Sequence, residues 1–96
     1  MTLEKQLSEK VKKYEKLTKK ALNEIELSEG LSEKEERVAR TFLEMSENYF
    51  KDAGYFKKKG DLLTALASLS YAHAWLDAGV KARLFTAKDD QLFTLP

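Results

Sequence analysis

Residues 57–66 read KKKGDLLTAL, and this stretch places a sharp corner between two helices. The lysines before Gly60 complement the carbonyl end of a helix dipole, and glycine readily takes the left-handed conformation that ends a helix. Asp61 is a favoured N-cap for the helix that follows. The stretch therefore predicts one helix that ends near Lys59 and another that begins at Leu62, with almost no loop between them.

Apolar residues on both sides of this corner recur every three or four positions, which is the spacing of one helix face. Upstream, the pattern predicts a helix over residues 33–59, which starts with a capping box formed by Ser32 and Glu35. Downstream, it predicts a helix over residues 62–85 that is apolar on nearly all sides. A further stripe predicts a first helix over residues 2–28, with Gly30 just beyond its end.

The predicted fold is an all-α, antiparallel three-helix bundle with a long second helix, formed by residues 1–85. A short irregular C-terminal tail follows over residues 86–96. A chain of 96 residues is one domain. We expect no β-sheet, because one proline and four glycines provide too few turns for a β-rich domain.

The composition excludes several classes of site. The chain has no cysteine and one histidine, so disulfides, thiolate zinc sites and cysteine nucleophiles are excluded. A net charge of +1 gives no overall attraction to nucleic acid or to an anionic membrane. The N-terminus lacks the apolar run of a secretory signal, and no stretch is long enough to span a membrane. We expect a cytoplasmic protein without cofactor or membrane contact, and the abundance of Lys and Glu is typical of heat-adapted proteins.

Two resemblances are carried by the second and third predicted helices. The spacing of Tyr49, Ala53, Gly60 and Ala65 resembles a single tetratricopeptide-type hairpin, which implies close packing of the two helices. Residues 71–79, YAHAWLDAG, together with the Lys-Gly-Asp corner, resemble a family of short archaeal helical proteins catalogued as domain-of-unknown-function family three-five-seven. That resemblance implies a compact helical fold and an archaeal source, and it assigns no catalytic residues.

The third predicted helix has more apolar surface than two neighbouring helices can cover. We therefore expect its outer face to contact a protein partner, most simply a second copy of the chain in a two-fold homodimer. The residues predicted to form this interface are Ala67, Tyr71, Ala74, Trp75 and Ala78. The alternative is that the C-terminal tail folds back and covers this face with Leu92, Phe93 and Leu95.

The sequence leaves two other functions open. Lysines lie on the back of the first helix and form a candidate phosphate-binding stripe for a nucleic-acid accessory protein; they are Lys5, Lys12, Lys16 and Lys19. Ser70, His73 and Asp77 share a helix face and suggest a hydrolytic or metal site, yet a single helix seldom supplies both a nucleophile and its base. We expect His73 to be a hydrogen-bonded core residue and the protein to lack enzymatic activity.

Overall fold

A computed structural model describes residues 2–87 and contains three helices in an up-down-up arrangement. The helices are α1 (Leu3–Glu24), α2 (Glu33–Lys58) and α3 (Leu62–Lys81). Two short strands, β1 (Glu26–Leu27) and β2 (Phe85–Thr86), pair in an antiparallel manner beyond the ends of α1 and α3. The all-α bundle predicted from the sequence is confirmed, and most of the predicted tail lies outside the described residues.

The predicted helix starts are reproduced by side-chain caps. Thr2 caps α1, and Ser32 and Glu35 form the expected capping box at the start of α2. Asp61 accepts a hydrogen bond from the Thr64 backbone N–H at the start of α3. Each side chain satisfies a backbone donor that the first helical turn would otherwise leave unpaired.

The corner between α2 and α3 closes through a Schellman motif. Gly60 has a φ of +81°, and the N–H groups of Gly60 and Asp61 donate to the carbonyls of Lys57 and Phe56. The prediction for this corner is confirmed.

The ends of α1 and α3 were predicted too late in the chain. The first helix ends at Glu24 instead of residue 28, and the third ends at Lys81 instead of residue 85. Arg83 takes a φ of +61°, so a Schellman motif without glycine ends α3, and no glycine marks this position in the sequence. The residues released from the two helices form the β1–β2 pair, so the expectation that the chain has no β-sheet is wrong for these four residues.

The core has an apolar cluster toward each end and a polar layer between them. One cluster is centred on Val11, Ala53, Ala65 and Leu69. The other contains Ala21, Ala39, Leu76, Leu84 and Phe85. Between them, the side chains of Thr18, Ser46 and His73 are buried and hydrogen-bonded.

The three helices do not contact one another equally. α3 packs extensively against both α1 and α2, whereas α1 and α2 contact each other at few positions. An ion pair between Glu15 and Lys57, with 2.8 Å between Oε1 and Nζ, joins α1 to α2 toward one end of the bundle. Because α1 and α2 stand apart elsewhere, α3 is the central helix of the fold.

Candidate protein interface

The outer face of α3 is a row of exposed, uncharged residues that points away from the other helices. It consists of Leu63, Ala67, Ser70, Tyr71, Ala74 and Ala78. Along Leu62–Lys81 the only exposed residue with a charge is Lys81, in the last turn. On α1, by contrast, every exposed residue between Glu9 and Lys20 is charged.

Four of the five predicted interface residues lie on this outer face. Trp75 is the exception, since it is half-buried at the edge of the face. Its indole ring packs edge-on against Phe42 of α2, with 5.0 Å between the ring centroids. Contact of Trp75 with a partner stays a prediction, and α2 covers part of its ring.

Tyr71 also rests on α2, although 59% of its surface is exposed. Its ring stacks on Tyr49 with 5.3 Å between centroids and an angle of 24° between planes. Such contacts hold aromatic side chains in one orientation on the surface. The candidate interface thus includes α2 as well as α3. The periodicity of a single helix carries no signal for this contribution, because it depends on packing between helices.

His73 lies in the buried polar layer, as predicted. It is 4% exposed, and its Nδ1 is 3.1 Å from Thr18 Oγ1. Its Nε2 is 3.8 Å from Asp77 Oδ1 on the next turn. Nothing in the sequence pattern identified Thr18 of α1 as the partner of His73.

The structure does not assemble a triad from Ser70, His73 and Asp77. Ser70 is exposed and its hydroxyl donates to the Leu66 carbonyl, whereas His73 is buried and meets α1. The two side chains therefore point to different surroundings, and Ser70 has no base beside it. Within residues 2–87, no group of three or more histidine and acidic side chains is placed to hold a metal ion.

Burial raises the pKa of the Asp77 carboxyl above its usual value of 3.8, and the nearby His73 and Lys81 oppose the rise. Desolvation disfavours the charged form of a carboxyl group, so it acts in this direction. Asp77 Oδ1 is buried and accepts no hydrogen bond from the described residues. Its charged form is therefore poorly compensated in the folded state.

The lysines of the candidate phosphate-binding stripe are exposed on α1, namely Lys5, Lys12, Lys16 and Lys19. Glu15, on the same helix, forms an ion pair with Lys57 of α2. Phosphate contact through these lysines stays a prediction, which salt-dependent retention on heparin would test. No helix in the described part of the chain is long and apolar enough to cross a membrane.

Comparison with known proteins identifies a family and a related structure. A family model described as "Protein of unknown function (DUF357)" matches residues 13–85. The crystal structure of protein AF1782 from Archaeoglobus fulgidus, which carries the same family label, is similar with a TM-score of 0.72 and 29% sequence identity. The alignment covers 91% of this chain and 100% of that chain. No curated protein matches the sequence significantly.

Proposed function

The chain belongs to the DUF357 family, and we propose that it is a non-enzymatic interaction module that associates with a second copy of itself through the outer face of α3. The observation that carries this proposal is the absence of charge on that face between Leu63 and Ala78, in a chain of which 34% of residues are charged. Solvated helix faces normally carry charged and polar residues, as α1 does.

The size of the outer face of α3 determines which other residues the proposed dimer interface must include. A helix of 20 residues is about 30 Å long and about 10 Å wide, so the outer face of α3 alone offers roughly 300 Å². A stable interface buries about 600 Å² or more on each partner. The neighbouring surface of α2, with Val38 and Tyr49, must therefore be buried as well.

The residues at the centre of the face favour close helix approach. Ala67, Ala74 and Ala78 have small side chains, and the distance between packed helices depends on the side chains at their contact. Tyr71 is the large exposed residue among them and is already oriented by Tyr49. Aromatic residues of this kind are enriched at the centres of interfaces. A two-fold contact lets the same residues serve both partners.

Substitution of Ala74 tests the interface without disturbing the core. Ala74 is exposed on α3, so Ala74→Glu adds a charge to the proposed contact and leaves the packing within one chain intact. We expect this variant to be monomeric, with an unchanged circular dichroism spectrum. Trp75→Glu is a poorer test, because it also removes the contact with Phe42.

A matched control uses the same change of charge on another helix. Gln6 is exposed on α1, and Gln6→Glu should leave the dimer intact. Equal effects of both variants, or no effect of Ala74→Glu on a dimeric protein, would place the contact elsewhere. As part of the same proposal we assign the protein to the cytoplasm of an archaeon, in keeping with its composition and with the source of the related structure.

A further inference from the structure

A groove lies between α1 and α2, where these helices stand apart. Its volume is about 410 Å³. Its apolar lining comes from Leu22 and Ile25 at the end of α1 and from Leu43 and Phe50 of α2, with Lys19 and Glu47 beside them. Among the described residues, none from α3 lines it, so the groove is separate from the outer face of α3.

The β1–β2 pair directs the chain toward this groove. Phe85 lies opposite Leu27 and Thr86 opposite Glu26, in antiparallel register. Ala87, which follows Thr86, therefore lies on the side of Ile25 and the end of α1. Ala87 packs against the apolar cluster to which Leu22, Ile25 and Leu43 also belong. The described chain thus ends beside the groove.

The segment that follows, residues 88–96, has the composition and length to occupy the groove. It reads KDDQLFTLP, in which four polar residues precede Leu92, Phe93 and Leu95. Five extended residues from Ala87 to Leu92 reach up to about 17 Å. The part of α1 that lines the groove, from Lys19 to Ile25, is about 9 Å long. The apolar residues of the segment can therefore reach all of the lining.

The charges near the groove complement those of the segment. Glu24 Oε2 is buried and accepts no hydrogen bond from the described residues. Lys88, the first residue of the segment, carries an ammonium group that could supply the missing donor. Asp89 and Asp90 follow in the sequence, and their charge is opposite to that of Lys19 and Lys20, which are exposed on α1.

We propose that residues 88–96 dock in the groove between α1 and α2, with Lys88 paired to Glu24 and with Leu92, Phe93 and Leu95 against its apolar lining. The segment then covers the side of the bundle that lacks a fourth helix. It leaves the outer face of α3 open to the second copy, which differs from the expectation that the segment returns along the third helix.

A nitroxide spin label on the segment tests this placement in the full chain. The chain has no cysteine, so Thr94→Cys provides a single attachment site. The label broadens the nuclear magnetic resonance signals of amides near it. We expect the strongest loss of signal at residues 19–25 and 43–50 and a weaker loss on α3, which packs against both helices. Stronger loss at residues 67–78 than at the groove, or no selective loss, would overturn the proposal.

Two controls separate this placement from its alternatives. Mixing labelled chains with unlabelled, isotope-enriched chains detects a segment supplied by another copy, and losses that persist in that mixture would contradict docking within one chain. Phe93→Ser with Leu95→Ser in the labelled chain should restore the lost signals. Lys88→Gln should restore them in part, and adding Glu24→Gln to it should have little further effect, because both remove the same pair. None of these outcomes depends on whether the chain forms dimers.

Discussion

At the scale of single residues, two glycines inside helices have different surroundings. A Cβ atom at Gly79 would overlap ring carbons of Phe85, whereas a Cβ atom at Gly54 would meet no other atom within 4 Å. Only Gly79 therefore marks a close contact, and its partner belongs to β2 and not to another helix.

These surroundings predict opposite effects for the same substitution. Gly79→Ala should lower the free energy of unfolding by about 1 to 3 kcal/mol, because the added methyl group displaces a buried ring. Gly54→Ala should raise it by up to about 1 kcal/mol, because alanine favours a helix interior and has free space here. Urea unfolding curves followed by circular dichroism measure both changes. A stabilising Gly79→Ala would show that Phe85 does not hold the position seen in the structure.

The raised pKa of Asp77 should make the stability of the protein depend on pH. Asp77 has a raised pKa in the folded state, so the folded chain binds the proton more tightly and loses this contribution as the pH rises through the folded pKa. Its place in the C-terminal half of α3 also opposes a negative charge. Asp77→Asn should therefore stabilise the protein at neutral pH, and the gain should vanish below the ordinary pKa of 3.8. A gain that is the same at both pH values would exclude titration of Asp77 as its cause.

At the scale of secondary-structure elements, two Schellman motifs end helices with different residues. Gly60 occupies the left-handed position after α2, and Arg83 occupies the equivalent position after α3. A residue with a Cβ atom is strained there by about 1 to 2 kcal/mol. The first motif was predictable because glycine is the residue most often found in the left-handed position that ends a helix. The second was not, because the pairing of β1 with β2 and the packing of Phe85 on Gly79 select the end of α3.

Exchange of the residue type at these positions should change stability in opposite directions. Gly60→Val should lower the free energy of unfolding by at least about 1 to 2 kcal/mol, since no side chain near Gly60 would clash and backbone strain alone acts. Arg83→Gly should raise the free energy of unfolding by about 0.5 to 1 kcal/mol. The gain from relieved backbone strain should exceed the loss from the greater conformational entropy of the unfolded chain. Thermal unfolding of the two variants measures both effects. If Arg83→Gly lowers the free energy of unfolding, the Arg83 side chain makes a contact that stabilises the fold by more than the backbone strain destabilises it.

At the scale of the whole molecule, the hydrophobic periodicity predicted three helices and the excess of apolar surface on the third. Val11, Leu69 and Leu76 are buried, as residues on those apolar stripes should be. Periodicity could not predict how the helices divide their contacts. The separation of α1 from α2, the groove between them and the support of Tyr71 by Tyr49 all depend on packing among distant residues.

The arrangement gives the molecule two distinct surfaces for contact. The outer face of α3, bordered by α2, is the proposed site for a second copy, and the groove between α1 and α2 is the proposed site for residues 88–96. Loss of the segment from its groove should therefore leave the dimer contact in place. Ala74→Glu should, conversely, abolish the dimer while the segment stays docked.

Sedimentation equilibrium of the unsubstituted chain tests the proposed self-association most directly. We predict that the measured mass rises with concentration toward twice the 11.0 kDa of one chain and reaches that value in the micromolar range. The same measurement on Ala74→Glu should give the mass of one chain throughout. A mass that stays at 11.0 kDa for the unsubstituted protein at high micromolar concentration would contradict the central claim that the outer face of α3 joins two copies.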